Sequence, residues 1–525
     1  MGIYANGNIG TVYVGTSEIS DIYVGTNLVY TKLPEDQRPF YFKVADNSTT
    51  AKVGFERKSA AFHDYGSPTE PSIDYSKFSN YQNPVFQYSY DKYNWNTYTL
   101  GTEISIGSGA NSNIVYFRGD NTKPWYDTYT TTTTATVDGT QKSYNHNYRV
   151  WVNAMTKFTN IEIGGNIMSL RYKSFTGKVS LPCAYAFFSL FYGCGYITST
   201  TLVLPATTLT DYCYTNMFCK TSITTAPVLP ATTMKSYCYA NMFYNTNITK
   251  APALPAKNLA ISCYGTALIP DSETNKSTTG MFGSCNNLTT PPTLPATILA
   301  ESCYAYMFDS CSKLTTPPAL SATTLAPHCY NYMFESSGIT SAPKLPATTL
   351  AENCYAYMFY FCSKLTTPPA LSATALAPYC YHHMFDSSGI TSAPTLPATN
   401  LKAYCYADMF SSCKNLKVPP SLPATSLADS CYYDMFSYCT ALTKIPKLPA
   451  TTMFDYCYSY MYSYSNVKAN KTSISGCSNA FRIPTSGSGT ASSKGFSDMF
   501  PLATNTEENF SPSLNTTFYI SVPSF

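Results

Sequence analysis

Apolar and polar positions follow one pattern that recurs along more than half of the chain. The copy that begins at Cys303 reads CYAYMFDSCSKLTTPPALSATTL, in which the recurring Cys, Tyr, Met, Phe, Cys and Leu are spaced by residues that vary. Ten clear copies follow one another with first cysteines 25 or 26 residues apart, apart from one step of 40. A degenerate copy precedes them and another follows from Cys477. This period predicts a solenoid, in which each copy buries its apolar face against its neighbours.

Two elements are expected in each copy. Positions i, i+3, i+4 and i+7 of one copy are Tyr355, Met358, Phe359 and Cys362, which predicts a short helix of about two turns with this face inward. The segment from Leu365 to Ala373 contains two prolines and predicts a short or irregular strand. The residues predicted to form the structural core of two sister copies are Cys303, Tyr304, Met307, Phe308, Cys354, Tyr355, Met358 and Phe359.

The first third of the chain follows a different pattern. Residues 1–35 hold two ten-residue units, IGTVYVGTSE from Ile9 and ISDIYVGTNL from Ile19, which predict a β-meander. Residues 36–84 are polar and contain prolines, as in a connecting region, and residues 85–175 are rich in Tyr, Trp and Thr, as in a β-sandwich-like domain. The solenoid, with about eleven to twelve coils, is expected over 181–500, and a C-terminal cap with a final strand over 501–525. The predicted fold class is mainly β with short helices.

Charge and hydropathy exclude several classes of function. Charged residues make up 12% of the 525 residues, and the net charge of +3 gives no electrostatic footprint for nucleic acid or an anionic membrane. The N-terminus lacks a basic segment followed by an apolar one, and we find no run of about 18 apolar residues. We therefore expect no nucleic-acid partner, no membrane insertion and no secretion by the ordinary route.

The 19 cysteines are predicted to be thiols of the core in a reducing cytosol. A second cysteine position lies eight residues after the first in several copies, but sister copies hold Thr or Ser there. A hydroxyl cannot replace a disulfide partner or a thiolate ligand, whereas it can replace a small buried residue. The cysteines at this position are Cys311, Cys362, Cys413 and Cys439, and their Thr or Ser equivalents are Thr221, Thr246, Ser337 and Ser388.

No motif for catalysis stands out. The sequence contains no nucleophile elbow, Walker loop or HExxH, so we expect no enzyme, no cofactor and no metal. His382 and His383 occupy a variable pair of positions where the preceding sister copy has Asn331 and Tyr332. We expect a solvated or partly exposed pair there, with metal binding as the alternative. The tripeptide RGD at Arg118 is expected to be a coincidence within a strand and turn.

The repeat frame resembles the BspA-type leucine-rich-repeat family, which occurs in structural and adhesive proteins of gut bacteria and of their tailed phages, including crAss-like phages. The segment FTNIEIGGNIMSLRY resembles the β-rich module that precedes such repeats, and the VYVGT and IYVGT units resemble the leading segments of phage tail and fibre proteins. The resemblance implies a non-enzymatic phage structural protein, a tail or capsid fibre or appendage, that binds a glycan or protein of the host surface. The alternative is a bacterial cell-surface adhesin of the same family.

The resemblance also implies partners and a location. Other virion proteins would bind the N-terminal module, and a homotrimer is expected by analogy with phage fibres. The protein would be assembled in the host cytoplasm and displayed on the virion surface, or, in the alternative, on the bacterial surface.

Two insertions interrupt the repeats, at residues 271–279 and 485–494. Insertions in repeat arrays gather on one face, often the binding face, although they can also be merely tolerated loops. Their candidate ligand-facing residues are Asp271, Asn275, Lys276, Thr485, Ser488 and Lys494.

Overall fold

The computed structural model describes residues 13–14, 17–18, 21–24, 27–31, 34–44, 49–63, 67, 71–138, 140–266, 279–442, 445–470, 479–482, 486–493, 495–496, 499 and 517–521. The chain divides into two compact units, the first within Met1–Cys213 and Lys220–Ala231, the second within Tyr214–Cys219 and Thr232–Phe525. Among the described residues we find no helix with the length and apolar character needed to cross a membrane.

The N-terminal strands form two separate antiparallel hairpins. Strand β1 (Tyr13–Val14) pairs with β2 (Ser17–Glu18), and β3 (Asp21–Val24) pairs with β4 (Asn27–Thr31). Among the described residues, these four strands form two two-stranded sheets, whereas the sequence predicts one β-meander over residues 1–35.

Two further sheets pack face to face in the first unit. Their strands are β5 (Phe40–Val44), β6 (Thr50–His63), β7 (Phe86–Ser89), β8 (Asn96–Tyr98), β9 (Ile104–Gly107), β10 (Ile114–Gly119), β11 (Tyr126–Val137), β12 (Thr140–Lys157), β13 (Ile161–Asn166) and β14 (Ile197–Val203). The orders are β14-β13-β5-β10-β7-β8 and β11-β12-β6-β9. Phe55 of β6 lies 5.6 Å from Phe42, 4.9 Å from Phe86 and 5.1 Å from Phe117 of the other sheet, ring to ring. These fully buried aromatic rings hold the two sheets together.

The prediction of a connecting region over residues 36–84 is wrong, because β5 and β6 lie within it. Strand β6 pairs with β12 along twelve residues, and β5 lies between β10 and β13. The charged run ERK within β6 hides its alternation. Ala51, Val53 and Phe55 are fully buried, whereas Arg57, the next residue on the same face, is exposed and covers the ring of Tyr75. The boundary expected near residue 181 also shifts, because β14 of the first repeat joins β13 in a parallel pair.

Each repeat of the second unit begins with consecutive turns, so the predicted helix is wrong. In the Cys354 repeat, Asn353, Tyr357 and Phe361 have φ values of 52°, 57° and 55°, so that every fourth residue is left-handed. The alternate amides of Ala356, Met358, Tyr360 and Cys362 donate to the carbonyl three residues earlier. Those of Tyr355, Tyr357, Phe359 and Phe361 donate to carbonyls of the next repeat, at 2.8–3.1 Å.

The spacing i, i+3, i+4 and i+7 fits these turns as well as it fits a helix, because a period of four also places such residues on one face. An α-helix would satisfy all of these amides internally, whereas here half of them link neighbouring repeats. The left-handed conformation is unfavourable by about 1–2 kcal/mol for a residue with a side chain, and the bonds between repeats offset it.

Two inner aromatic ladders run through the second unit. The tyrosine of each repeat stacks on that of the next from Tyr214 to Tyr458, with ring centroids 5.7–6.1 Å apart. The phenylalanine ladder runs from Phe218 to Phe436 and ends on Tyr462, with centroids 5.5–5.9 Å apart. The eight residues predicted to form the structural core are at most 1% exposed.

The proline-rich half of each repeat contains single parallel bridges instead of a continuous strand. Ser341 pairs with Thr367, and Ser392 pairs with Val418. Proline lacks the amide hydrogen that a longer ladder needs, which is why the pairing is interrupted. At the C-terminal end, β15 (Lys468–Asn470), β16 (Asn479–Arg482) and β17 (Thr517–Ser521) form an antiparallel sheet in the order β15-β17-β16, so a strand does lie within residues 501–525.

Candidate functional site

The predicted ligand-facing loops fall almost entirely outside the described residues. Ser488 is exposed and begins a 3₁₀ helix that spans Ser488–Ser493. The five other candidates, Asp271, Asn275, Lys276, Thr485 and Lys494, lie outside the described residues. Binding by these loops therefore stays a prediction.

A row of outward side chains runs along the turns of the second unit. It consists of the residue three after the first cysteine in six successive repeats, and we call it the outer ladder. Its members are Tyr306, Tyr332, Tyr357, His383, Asp408 and Asp434. All six have φ between 50° and 57°. The left-handed conformation thus places one side chain from each repeat in a column.

The first four members of the outer ladder are stacked rings. The centroids are 4.5 Å apart for Tyr306 and Tyr332, 4.2 Å for Tyr332 and Tyr357, and 4.5 Å for Tyr357 and His383. Burial raises the pKa of Tyr357 to about 12, so its phenol is protonated and able to donate a hydrogen bond near neutral pH. Because neighbouring rings cover each other's faces, a ligand meets mainly ring edges and hydroxyl groups.

Carboxylates lie beside the ladder, three residues after it in the chain. Burial raises the pKa of Asp309 to about 6 and that of Glu335 to about 7, and repulsion from Asp309 adds to the rise for Glu335. Asp386 occupies the equivalent position beside His383. The turn surface therefore combines tyrosine hydroxyls with half-buried acids.

Two histidines and an aspartate meet where the ladder changes from rings to carboxylates. Asp408 Oδ2 lies 3.6 Å from His382 Nε2 and 3.5 Å from His383 Nε2, and one possible ligand atom of each of the three residues lies within 4.8 Å of the others. On its other side, His383 Nδ1 lies 2.8 Å from Asp386 Oδ2, and Asp386 Oδ1 accepts a hydrogen bond from Ser387 Oγ at 2.8 Å. Burial lowers the pKa of His382, against the opposing effect of Asp408.

Asp434 continues the cluster into the next repeat. Burial, together with repulsion from the neighbouring carboxylate of Asp408, raises the pKa of its carboxyl to about 6. Its Oδ1 atom is buried and makes no hydrogen bond. A buried acceptor without a donor is unfavourable, and a cation bound beside it would stabilise it.

His382 and His383 stand out in the sequence as a variable pair of positions, whereas Asp408 and Asp386 do not. Residues that occupy the same position in successive repeats lie side by side in the structure. His383, Asp408 and Asp434 are therefore neighbours, although 25 or 26 residues of chain separate each from the next. Only an alignment of the repeats would reveal this. The histidine side chains are 18% and 22% exposed, so they are half-buried and not freely solvated.

The second cysteine position has a hydrogen-bonding role. Cys362 Sγ donates to the carbonyl of Phe334 at 2.9 Å, and Cys413 Sγ donates to that of Phe385 at 2.9 Å. Burial raises the pKa of both thiols to about 12, so they stay protonated and unreactive. At the same position the hydroxyl of Thr246 donates to the carbonyl of Phe243 in its own repeat at 2.9 Å, so thiols and hydroxyls there are both hydrogen-bonded, although to different carbonyls.

Two other features bear on binding. Arg118 of the RGD tripeptide lies 4.1 Å from the ring of Trp95, and its Nε donates to Gln87 at 3.0 Å, so its side chain is engaged within the first unit.

Two grooves of about 520 and 330 Å³ lie between proline-rich segments of the second unit, one beside Pro420 and one beside Pro292.

Comparisons with known proteins give one resemblance. No protein family model and no curated protein matches the chain. Among solved structures the chain is similar to a leucine-rich repeat protein from Bacteroides ovatus ATCC 8483, at 16% identity over 63% of this chain and 87% of that chain, with a TM-score of 0.31. The chain's own geometry defines a mainly β protein with an array of stacked, turn-rich repeats.

Proposed function

We propose that this chain is a non-enzymatic structural protein of a tailed phage, a tail or capsid fibre or appendage. In this proposal the repeats form a leucine-rich-repeat solenoid of the BspA type, which binds a glycan or protein of the host surface. The observation that carries the proposal is the outer ladder, a continuous column of polar aromatic and acidic side chains on a repetitive scaffold.

The division between scaffold and surface supports a binding role. The inner ladders keep the same residue types from repeat to repeat, whereas the outer ladder changes from Tyr to His to Asp. Repeat proteins commonly bind through such a variable surface, because side chains there can change without loss of the core. Tyrosine hydroxyls and carboxylates suit hydrogen bonding to sugar hydroxyls or to polar protein groups.

The N-terminal hairpins are the part that we propose attaches to other virion proteins. A homotrimer and display on the virion surface complete the proposal by analogy with phage fibres. The resemblance of the VYVGT and IYVGT units to leading segments of such proteins supports this assignment, and the hairpins are compatible with it.

Immunolabelling tests the location. Particles and cells from the source are imaged by cryo-EM with an antibody against residues 181–500. We expect label on the tail or shell of a phage. Label confined to a bacterial envelope, with no particle decorated, would contradict the virion assignment and favour a bacterial adhesin.

Binding to host cells tests whether the outer ladder is the binding surface. The full chain is compared with the variant Tyr332→Asn plus Tyr357→Asn, because Asn216 and Asn241 already occupy this left-handed position in other repeats. Exposed Lys313→Asn plus Lys364→Asn serves as the matched control. We expect the tyrosine variant to bind host cells at least about tenfold more weakly and the control to bind normally. Equal binding by all three proteins would exclude the outer ladder as the binding surface.

A further inference from the structure

We propose that His382, His383 and Asp408 form a binding site for a divalent transition-metal ion, with zinc as the best match to the ligands. The site lies between the Cys380 and Cys405 repeats, and it is independent of the phage assignment. It joins two repeats through side chains in addition to the backbone hydrogen bonds.

The distances fit a shared ion better than direct hydrogen bonds. Ligand atoms bind zinc at about 2.0–2.2 Å, so two ligands of one tetrahedral ion are about 3.4 Å apart. Asp408 Oδ2 lies 3.6 and 3.5 Å from the two histidine Nε2 atoms, close to that separation. A hydrogen bond from a ring nitrogen to oxygen is about 2.7–3.2 Å, which both distances exceed. One ring nitrogen of each histidine lies within 4.8 Å of the other, a gap that rotation of the rings can close.

Asp386 holds the ring of His383 in the tautomer and orientation that metal binding requires. The carboxylate of Asp386 lies 2.8 Å from Nδ1 and favours the tautomer in which Nδ1 carries the hydrogen and Nε2 the lone pair. A carboxylate in this position is the usual outer partner of a histidine that binds zinc. Ser387 fixes the other oxygen of Asp386, so the ring orientation is supported from two sides.

The cluster contains three carboxylates, whose negative charge favours a bound cation. Asp386, Asp408 and Asp434 meet there, and the ion pairs described for the first two involve only the histidines. The buried Oδ1 of Asp434 makes no hydrogen bond. A divalent ion would balance these carboxylates while the histidines stay neutral, and three protein ligands would leave a fourth position for water or a ligand group.

Calorimetric titration of the metal-stripped full chain with ZnCl₂ tests the proposal. The informative variant is His382→Asn plus His383→Tyr, because the sister repeat holds Asn331 and Tyr332 at these positions on the same backbone. His328→Asn is the matched control, because His328 is another half-buried histidine of the turns. We expect one ion per chain for the wild type and the control, and affinity at least about 100-fold weaker for the double variant.

A second variant tests the outer partner. Asp386→Asn should weaken zinc about 10- to 100-fold without removing a ligand. In parallel, zinc should raise the unfolding temperature of the wild type and the control but not of the double variant, whose metal-free unfolding temperature should match that of the wild type. Absence of zinc binding by the wild type, or undiminished binding by the double variant, would overturn the proposal.

Discussion

Residues 303–353 and 354–404 form two blocks of two repeats that differ at only twelve of 51 positions. Their backbones follow the same path, with φ of 55° at Tyr332 and 50° at its equivalent His383. Yet Tyr332 stacks on Tyr357 of the next repeat at 4.2 Å, whereas His383 faces Asp408 of the next repeat at 3.5 Å. The inner residues determine the backbone, and the chemistry of the surface depends on which residue follows in the column.

The largest effect is expected from the inner ladder, and it should be equal in the two blocks. Phe334 and its equivalent Phe385 are fully buried between rings of adjacent repeats. Phe334→Ala and Phe385→Ala should each lower the free energy of unfolding by about 3–5 kcal/mol, measured with denaturant. The half-exposed Phe361→Ala is the control and should change it little. A difference above about 1 kcal/mol between the two buried variants would show that the blocks do not share one core.

Substitutions at the second cysteine position should show whether the thiol stabilises the protein through its hydrogen bond or only through packing. Cys362→Ala removes one of two donors to the carbonyl of Phe334, which keeps the amide of Ser337, and should lower the free energy of unfolding by about 0.5–1.5 kcal/mol. Cys362→Ser keeps a hydroxyl donor, as in Ser337 and Ser388, and should lower it by less than the alanine change does. The same pair of changes at the equivalent Cys311 should give the same order. If Ala is tolerated better than Ser in thermal unfolding, the bond is unimportant.

Acid should stabilise the first block through Glu335. Its pKa rises from 4.5 to about 7 on folding, so the folded protein binds the proton more tightly than the unfolded chain. The unfolding temperature should therefore fall as pH rises from about 4.5 to 7 and then level off. Glu335→Gln should flatten this dependence, whereas the exposed Glu352→Gln should not. An unchanged pH profile for Glu335→Gln would mean that its carboxyl is not held in the buried position.

The smallest effect concerns the left-handed serines. Ser336 and its equivalent Ser387 have φ of 53° and 59°, a region that glycine adopts without steric conflict. Ser336→Gly should raise the free energy of unfolding by about 0.5 kcal/mol. Ser387→Gly should raise it less, because it also removes the hydrogen bond to Asp386. A loss of stability for Ser336→Gly would contradict the left-handed assignment.

Periodicity identifies the buried residues of the repeats but not their backbone. The spacing of Tyr355, Met358 and Phe359 correctly places them inside, yet it is shared by a helix and by turns of period four, so it predicts the wrong element. The choice depends on hydrogen bonds to the next repeat, which a single copy does not reveal. In the first unit, the charged residues on the outer face of β6 conceal a strand that pairs along its full length.

The candidate site is predictable only when repeats are compared as columns. His382 and His383 are visible in one copy, but Asp408 becomes their neighbour only after the copies are aligned and stacked. Asp386 lies three residues after His383 in the same copy, and the turn geometry brings its carboxylate to the ring. No spacing within a single repeat would identify this group of residues.

Anomalous diffraction at the zinc edge, from crystals of the full chain grown with zinc, tests most directly whether two blocks with one backbone have different surface chemistry. The two blocks should superimpose, with one peak about 2.0–2.2 Å from His382 Nε2, His383 Nε2 and Asp408 Oδ2 and none beside Asn331 and Tyr332. Blocks with different backbones, or zinc absent from the histidines, would contradict the account.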